Sequence, residues 1–346
     1  MKQFRVGVIG LSMGEGHIRG YQSHPRAKVV AIADIDPHRL REVGDQYKIP
    51  VRYDSAEVML AREKLDVVSV ATPNKFHKPL TILALKAGAH VLCEKPMAMN
   101  AREAREMLAA AKRAKRRIMI DFSYRFTEAA QALKAEVDKG VLGDIYFART
   151  MWMRKRGIPG LGGWFGIKAM SGGGPLIDLG VHRIDLALWL MGYPKPVWAL
   201  ASTYNRIAGP LARKLHRKFD VEDLAAGFIK FANGASLEVT ASWASNIGER
   251  ELMETRLLGT KGGLVQRNVG GGYDFEGRLY LDRGGRIEEI ATKPVRHRLG
   301  GPMWHFIESI ATGKPHIATG EQGATVMEVL DAVYASARRG APVRIR

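Results

Sequence analysis

Short apolar runs alternate with amphipathic stretches over the first third of the chain. Helical periodicity is present in Pro37 to Tyr47, Pro79 to Ala87 and Ala101 to Ala114. The apolar runs predict buried strands at Phe4 to Gly10, Lys28 to Asp34, Val67 to Ala71, His90 to Cys93 and Arg117 to Asp121. Strands and helices that alternate at this spacing predict a parallel sheet with right-handed crossovers.

The pattern changes after Phe122. A helix is predicted from Glu128 to Lys139 and a strand from Ile145 to Met153. A glycine-rich loop over 156–174 then leads into a strongly apolar helix from Leu176 to Met191. This part of the chain no longer shows the strand–helix alternation, so we expect a second domain.

Long strands separated by turn signals such as Asn233-Gly234 dominate the region from Val197 to Ile290. They include Ala225 to Phe231, Ala235 to Ser242 and Thr255 to Gly259, and the helices Met303 to Thr312 and Gly320 to Arg339 follow. We therefore predict an α/β protein with a parallel-sheet domain at 1–122. An α+β domain at 123–346 is predicted to contain a large, mainly antiparallel open sheet.

The composition is that of a globular protein, with 46% hydrophobic and 25% charged residues. We expect no membrane partner, because no apolar run reaches the length of about eighteen residues that a spanning helix needs. The chain starts with Met-Lys-Gln-Phe-Arg-Val and enters a predicted strand without the apolar segment of an export signal. The single cysteine, Cys93, excludes an internal disulfide and a multi-cysteine zinc site. These features predict a cytoplasmic location.

The formal net charge of +18 admits three interpretations: nucleic-acid binding, attraction of acidic substrates, or an arginine-rich composition. The basic residues are scattered, and the cluster at 112–117 ends an amphipathic helical pattern, where cations suit the helix dipole. The sequence shows no helix-turn-helix, zinc or aromatic-platform motif of a nucleic-acid-binding protein. We therefore expect solvated basic faces and no nucleic-acid partner.

A glycine-rich turn follows the first predicted strand. Such a turn places backbone N–H groups and a helix N-terminus beside a diphosphate. Gly10 fits the first position of the G-x-G-x-x-G pattern, Ser12 replaces the second glycine, and Gly14 and Gly16 straddle the third. Taken alone, the turn is equally consistent with a tight strand–helix connection that binds no ligand.

Asp34 ends the second predicted strand, about twenty residues beyond the turn, where dinucleotide-binding folds place a ribose-binding carboxylate. A carboxylate accepts hydrogen bonds from the ribose 2′-hydroxyl and repels a 2′-phosphate. Ile35 follows it, rather than a serine or arginine that would accept a phosphate. NAD is therefore the predicted cofactor, with NADP less favoured but kept open by the nearby Arg39.

Polar residues follow the next two predicted strands, at the edge where open α/β sheets bind ligands. Thr72-Pro73-Asn74 and His77 follow one, and Glu94-Lys95-Pro96 follows the other. The alternatives are a plain helix start and a surface turn, respectively. The predicted cofactor-binding residues are Gly10, Ser12, Met13, Asp34, Thr72, Pro73, Asn74, His77, Glu94 and Lys95.

The apolar helix of the second domain carries three charged or titratable residues. Asp178, His182 and Asp185 fall at i, i+4 and i+7, on one helical face. Charge in a buried helix is costly unless it is paired or functional. The three residues therefore predict a hydrogen-bond network, a metal site or a catalytic set.

The order of these motifs resembles the Gfo/Idh/MocA family, which is named for glucose–fructose oxidoreductase and inositol dehydrogenase. The resemblance rests on the turn, Asp34, the Ala71-to-His77 segment, Glu94-Lys95-Pro96 and the 172–185 segment, and it extends to the tail at 340–343. It implies a Rossmann NAD-binding domain and a substrate domain whose open sheet forms oligomer contacts. Two residues depart from the family pattern. Ser12 alters the glycine spacing of the turn, and Ser123 stands where many members carry Asn before Tyr-Arg.

The resemblance implies hydride transfer between NAD(H) and a secondary hydroxyl or ketone of a sugar, cyclitol or glycoside, without a metal. Histidine exchanges protons near neutral pH, so His182 is the expected base. Lys95 is expected to stabilise the developing alkoxide, and Asp178 to bind a neighbouring hydroxyl or orient the pair. Asp185 is assigned a structural role. The alternative is a catalytically silent NAD-binding sensor, which would not need Lys95, Asp178 and His182 together.

Substrate contacts are expected from aromatic side chains that suit sugar C–H faces and from basic side chains that suit hydroxyls or a carboxylate. The candidates are Tyr124, Arg125, Trp152, Arg154, Arg156, Trp164 and Lys168. Core packing is an equally good explanation for Trp152 and Trp164. The partners expected are a small polyol or sugar and further copies of the chain, in a homodimer or homotetramer formed through the C-terminal sheet.

Overall fold

The computed structural model describes residues 2–293 and 299–345. The first 122 residues contain six short strands: β1 Phe4–Ile9, β2 Ala27–Ala33, β3 Val51–Tyr53, β4 Val67–Val70, β5 His90–Cys93 and β6 Ile118–Ile120. Five helices lie between them: α1 Leu11–Gln22, α2 Pro37–Gln46, α3 Ala56–Arg62, α4 His77–Lys86 and α5 Ala101–Ala114. The short elements β3 and α3 were not among the predicted ones.

The strands form one parallel sheet in the order β3-β2-β1-β4-β5-β6. The order reverses direction between β1 and β4, so the turns that follow these two strands open a crevice at the carboxyl edge of the sheet. Strands β1 and β4 are almost wholly buried, because helices such as α1 and α4 pack against the sheet. This is the doubly wound sheet that the alternating pattern predicted.

Side-chain caps explain several helix starts. Asp36 accepts hydrogen bonds from the His38 and Arg39 amides, and Pro37 occupies the first turn of α2. Asn100 caps α5 in the same way through the Glu103 amide. The predicted bounds of α5, which depended on such local signals, match the observed ones.

Residues 123–293 contain a second set of elements. The helices are α6 Glu128–Asp138, α7 Lys168–Ser171, α8 Val181–Leu190 and α9 Ala208–Lys214. The strands are β7 Ile145–Arg154, β8 Pro196–Tyr204, β9 Leu224–Phe231, β10 Ser236–Ser242, β11 Glu251–Gly259, β12 Gly262–Asn268, β13 Phe275–Asp282 and β14 Ile287–Ala291. The tail adds α10 Pro302–Thr312, α11 Gly320–Arg339 and β15 Val343–Arg344.

The second sheet has nine strands in the order β14-β13-β12-β11-β7-β10-β9-β8-β15. Strands β7 and β10 run parallel, and the other pairs among the described strands are antiparallel. Helix α8 contacts the central strands β7, β10 and β11, and α6 contacts β12 and β13. The sheet is mainly antiparallel, as predicted.

The chain divides into two compact units, 1–122 with 299–324 and 123–298 with 325–346. The segment 299–324, which the sequence interpretation assigned to the second domain, packs with the first. Arg117 explains much of this, because its guanidinium donates hydrogen bonds to the carbonyls of Ser309, Gly313 and Lys314. Ile120 also donates its amide hydrogen bond to the carbonyl of Ala318. None of the described helices has the length and apolarity to cross a membrane.

Candidate active site

The turn after β1 brings the first amides of α1 to the carboxyl edge of the parallel sheet. Gly10 has a φ of 83°, and a Cβ at this position would lie 2.5 Å from the Ala71 carbonyl oxygen, so the turn requires glycine. Ser12 and Met13 are exposed in the first turn of α1. First-turn amides have no intrahelical acceptor and lie at the positive end of the helix dipole. This cradle fits a diphosphate.

Gly14, rather than Gly16, takes the place of the third glycine. A Cβ on Gly14 would lie 2.8 Å from Val8 Cγ1, whereas the nearest atom to one on Gly16 is 3.9 Å away. The absence of a side chain at Gly14 therefore lets α1 pack closely on β1.

Asp34 lies at the end of β2 and fixes the same turn. Its Oδ2 accepts a hydrogen bond from the Leu11 amide at 2.6 Å, and its Oδ1 accepts one from the Asp36 amide at 2.9 Å. The carboxylate is thus held beside the cradle, where a ribose hydroxyl can donate to it.

The partners of Arg39 favour NAD over NADP. Its guanidinium donates to Glu15 at 2.5 Å and to Glu42 at 2.8 Å. These two carboxylates neutralise the cation that would otherwise attract a 2′-phosphate.

The segment after β4 places Thr72 and Pro73 before a short 3-10 helix, Asn74–Phe76. The Thr72 hydroxyl oxygen is buried and has no hydrogen-bond partner among the described residues. A buried hydroxyl in this position fits a ligand that supplies the missing bond.

His77 connects this segment to the turn after β5. The Nδ1 atom lies 2.7 Å from the Pro96 carbonyl oxygen, and Nε2 lies 2.8 Å from the Thr72 carbonyl oxygen. Burial lowers the pKa of His77, although both carbonyl contacts favour its cation. Both ring nitrogens are therefore engaged by the protein, and we assign His77 to holding the two turns together instead of contacting the cofactor.

Glu94 and Lys95 have different environments. Glu94 is buried, with Oε1 at 3.0 Å from His17 Nε2 and Oε2 accepting a hydrogen bond from the Lys95 amide at 3.0 Å. Both carboxylate oxygens are thus engaged within the protein, and the contact of Glu94 with the cofactor stays a prediction. Lys95 is half-buried and precedes a cis peptide bond to Pro96.

In the second unit, His182 lies in an aromatic cluster. Its ring centroid is 4.9 Å from that of Tyr124 and 5.7 Å from that of Trp152. Tyr124 and Trp152 meet edge to face at 5.4 Å. The structure therefore brings three of the predicted catalytic and substrate residues together.

The helix that carries Asp178 and His182 differs from the continuous helix predicted. Residues Leu176–Gly180 form a π-helical segment that runs into α8. The wider turn leaves Asp178 half-buried, and its Oδ2 accepts a hydrogen bond from Trp243 Nε1 at 2.9 Å. Irregular π turns of this kind are frequent at functional sites. Trp243 was not predicted, because a tryptophan directly after an apolar strand is typical of core packing.

Glu251 is a second residue that the sequence did not identify. Its Oε1 accepts hydrogen bonds from Trp152 Nε1 at 2.6 Å, from Arg154 Nε at 2.7 Å and from the Tyr273 hydroxyl at 3.2 Å. The Arg154 guanidinium also lies 5.4 Å from the Trp152 ring. One carboxylate therefore orients the predicted substrate residues Trp152 and Arg154.

Arg125 is buried and forms an ion pair inside the protein. The guanidinium is fully buried and donates to both oxygens of Asp185, at 2.8 and 2.5 Å, as well as to the Tyr193 hydroxyl. The Asp185 carboxylate and the Arg125 guanidinium thus satisfy each other. We therefore remove Arg125 from the substrate contacts. Asp185 and Asp178 are committed to different partners, Arg125 and Trp243, which does not favour a metal bound by the trio.

The remaining candidates lie on the long loop and α7. The guanidinium of Arg156 is exposed and donates to the Ser245 carbonyl and the Asn246 side chain. Trp164 is half-buried and stacks on Phe165 at 3.8 Å. Lys168 is exposed, and its backbone amide donates to Asp220 at 2.6 Å. Of the three, Trp164 is the one that stacks on a ring, Phe165, which packs against the hydrophobic cluster that contains Trp152 and Trp243.

Comparison with known proteins identifies the family. Residues 4–122 match the oxidoreductase family with an NAD-binding Rossmann fold, and residues 130–265 match the GFO/IDH/MocA C-terminal domain. The chain is 33% identical to D-glucoside 3-dehydrogenase of Escherichia coli (strain K12), over 99% of this chain and 97% of that protein. This chain belongs to the Gfo/Idh/MocA family. The predicted family, fold class and oxidoreductase activity are thereby confirmed.

Solved structures agree with this assignment. Aldose-aldose oxidoreductase from Caulobacter crescentus, complexed with glycerol, is 27% identical and superposes with a TM-score of 0.84, over 99% of this chain and all 100% of that one. Levoglucosan dehydrogenase, in complex with NADH and L-sorbose, is 25% identical with a TM-score of 0.86, and the match covers 100% of both chains. The Gfo/Idh/MocA protein described here is an NAD-dependent oxidoreductase that acts by hydride transfer.

Proposed function

We propose that this enzyme oxidises a secondary hydroxyl of a glucoside or related sugar, or reduces the corresponding ketone, with His182 and Lys95 controlling the proton. The observation that carries the proposal is the grouping of His182, Tyr124 and Trp152 next to the π turn that bears Asp178. Tyrosine and tryptophan rings suit the C–H faces of a sugar ring, and Asp178 can accept a hydrogen bond from a hydroxyl. A relative that shares 33% identity is a D-glucoside 3-dehydrogenase.

The cradle at Gly10 and the Asp34 carboxylate would hold NAD, which accepts or supplies the hydride. His182 takes the proton from the reacting hydroxyl as its C–H bond breaks, and it returns the proton in the reverse direction. Lys95 donates a hydrogen bond to the same oxygen and stabilises the alkoxide charge that develops there. Asp178, oriented by Trp243, binds a neighbouring hydroxyl and so selects which carbon reacts.

Lys95→Met and His182→Asn test these roles. Because each removes a proton-handling or charge-stabilising group, we expect turnover to fall by at least about 100-fold, with NADH affinity within about twofold of wild type. Rates are followed as absorbance of NADH on a panel of methyl glucosides, free aldoses and cyclitols. NADH affinity is measured by fluorescence titration.

Lys86→Met and His38→Gln are matched controls, because these residues are exposed and are not among the predicted site residues. Both controls are expected to keep wild-type rates. Near-normal turnover in both Lys95→Met and His182→Asn would move the chemistry elsewhere. Absence of turnover on every sugar in the panel by the wild-type enzyme would reject the substrate class.

We also propose that copies of the chain associate through the exposed face of the nine-stranded sheet in a dimer or tetramer. Leu200 and Tyr204 on this face are 44% and 45% exposed, which favours a partner surface. A cytoplasmic location is proposed from the single cysteine of the sequence, which suits a reducing compartment.

A further inference from the structure

Three buried titratable side chains meet beneath the turn that carries Lys95, and the proposed mechanism uses none of them. They are His17 from α1, Glu94 after β5 and Asp121 after β6, with exposures of 2%, 8% and 6%. His17 Nε2 lies 3.0 Å from Glu94 Oε1 and 3.4 Å from Asp121 Oδ2. A buried carboxylate is costly without a partner, so one imidazole placed between two carboxylates calls for an explanation.

Hydrogen bonds extend from this cluster in two directions. On one side, Glu94 Oε2 accepts the hydrogen bond of the Lys95 amide at 3.0 Å. On the other side, His17 Nδ1 lies 3.0 Å from Ser69 Oγ, which lies 2.9 Å from the Tyr21 hydroxyl. Both hydroxyls can donate or accept, so the chain is satisfied whether His17 is neutral or protonated.

The surroundings favour a proton on His17 that is shared with the two carboxylates. Burial opposes the His17 cation, but Glu94 outweighs it and the pKa of His17 is raised. Burial also raises the pKa of Glu94, but the hydrogen bond from His17 brings it below its usual range. Burial and the Glu94 charge together raise the pKa of Asp121 to about 7. These directions favour an ion pair between His17 and Glu94, and Asp121 is the member whose pKa lies near neutral pH.

We propose that His17 is a positioning residue for Lys95. Its proton, shared between Glu94 and Asp121, fixes the Glu94 carboxylate against the Lys95 backbone amide and so sets the turn from which Lys95 reaches the reacting oxygen. This inference rests on the proposed role of Lys95. The ionisation of Asp121 changes the strength of the contacts that hold this proton between His17 and the two carboxylates.

Other ionisable groups face the cluster, and none of them replaces His17. Burial raises the pKa of the Cys93 thiol and of the Tyr21 phenol, so both stay neutral near pH 7. Both ring nitrogens of His77 are occupied by backbone carbonyls. Lys95 itself contributes positive charge from the next position in the chain, which favours the ionised form of both carboxylates.

A cation is the alternative occupant, because the three side chains offer ligand atoms that lie within 4.8 Å of one another. The hydrogen-bond distance between His17 and Glu94 favours the proton. Loss of turnover after treatment of the holoenzyme with EDTA, restored by Zn²⁺ alone, would overturn the proton-sharing arrangement in favour of a metal.

Substitutions of His17 test the positioning role in the NAD-loaded enzyme. We expect His17→Leu to lower kcat by at least about tenfold, because small displacements of a catalytic group are costly, while KM and NADH affinity change by less than about twofold. His17→Gln, whose amide can still donate to Glu94, is expected to recover part of this loss. His24→Gln is the matched control, since His24 is also buried and lies 2.8 Å from a glutamate, Glu308, away from the turn. Wild-type kcat in a folded His17→Leu variant would overturn the proposal.

Imidazole ¹⁵N NMR of the NAD-bound enzyme provides a readout that does not depend on activity. Between pH 5 and 9, the His17 signals are expected to respond to a group that titrates near pH 7, and Asp121→Asn is expected to abolish that response. Unchanged His17 signals in Asp121→Asn would contradict proton sharing. Full turnover in Lys95→Met with a normal His17 titration would instead reject the proposed function and leave the network intact.

Discussion

Arg39 follows β2 and the predicted ribose-binding residue Asp34, and its guanidinium is held by Glu15 and Glu42. The sequence left the choice between NAD and NADP open because of this arginine. We expect Asp34→Ser to weaken NADH binding by about tenfold, since it removes the ribose acceptor and the bond to the Leu11 amide. The single change is expected to add little NADPH affinity, because Arg39 remains neutralised.

Removal of the two carboxylates that pair with Arg39 should shift the preference from NADH to NADPH. In Asp34→Ser/Glu15→Gln/Glu42→Gln, we expect NADPH affinity to rise at least about tenfold over the single variant, because an arginine can then pair with the 2′-phosphate. Fluorescence titrations with NADH and NADPH measure both effects. Equal NADPH affinity in the single and triple variants would show that Glu15 and Glu42 do not control Arg39.

A single residue, His90, is expected to make the stability of the fold depend on pH. Its Nδ1 accepts a hydrogen bond from the Arg117 amide at 3.0 Å, and burial, with Arg116 and Arg117 nearby, lowers its pKa to about 4. The pKa of an unfolded histidine is about 6.5, so stability present above pH 6.5 is lost as the pH falls towards 4. Partial exposure limits the effect to about 1 kcal/mol at pH 5.

An asparagine at position 90 can accept the same amide hydrogen bond and does not titrate. We therefore expect His90→Asn to lose less stability than wild type between pH 7 and pH 5 in urea unfolding. The exposed His38 provides the control, and His38→Asn should follow the wild-type curve. Parallel losses in wild type and His90→Asn would assign the acid sensitivity to other groups.

Residue type alone predicted Asp34, because its chemistry is tied to a strand end at a fixed distance from the turn. It could not separate Arg154, which lies against Trp152, from Arg125, which is buried against Asp185. Nor could it identify Glu251, which is 97 residues away from Arg154 in the chain. Contacts between distant segments decide such roles, and a local pattern does not contain them.

At the scale of elements, boundaries set by local caps were predictable and the π turn was not. The π-helical start of the helix at Leu176 is held by Glu222, which lies 46 residues further along the chain. Glu222 accepts hydrogen bonds from the Leu176 amide at 3.2 Å and from the Gly174 amide at 2.9 Å. The Tyr334 hydroxyl, from α11, donates to the same carboxylate at 2.8 Å. A buried acid from another segment therefore caps this helix.

Removal of that cap should destabilise the helix that bears Asp178 and His182. We expect Glu222→Ala to lower the free energy of unfolding by about 2 to 3 kcal/mol, because two buried amides lose their acceptor. Glu222→Gln should cost less, since its carbonyl oxygen can still accept one of these bonds. The exposed Glu249 gives the control Glu249→Ala, which should cost less than about 0.5 kcal/mol in the same urea titrations. Equal stability of Glu222→Ala and wild type would remove Glu222 as the cap.

At the scale of the whole molecule, the sequence predicted both sheets but not the assignment of 299–324 to the first unit. The contacts responsible include Arg117, which reaches carbonyls 192 to 197 residues further along the chain. Chain order favoured the second domain for this segment, and long-range hydrogen bonds placed it with the first. Assembly is likewise hard to predict from sequence. The alternation of residues along a strand shows which side chains share a face, but not whether another copy of the chain binds that face.

The nine-stranded sheet presents one covered and one open face. Ala199 and Ile229 are fully buried on the covered face, whereas Leu200 is 44% exposed and pairs across the strands with Phe228 on the other. Trp198 adds a further ring, 6.1 Å from that of Phe228. A stable dimer buries about 800 Å² of surface on each partner, and a face with several large apolar residues at its centre suits such a contact.

Leu200→Glu/Phe228→Glu should therefore dissociate the assembly, because two like charges from each copy would be desolvated at the contact. We expect wild type to run as a dimer or tetramer in light-scattering chromatography at micromolar concentration and the double variant as a monomer. Val58→Glu is the control, since Val58 is 38% exposed on α3, outside the nine-stranded sheet, and should leave the mass unchanged. If the wild-type chain is monomeric, or if the double variant keeps the wild-type mass while folded, the open face is not the contact, and its apolar residues need another explanation.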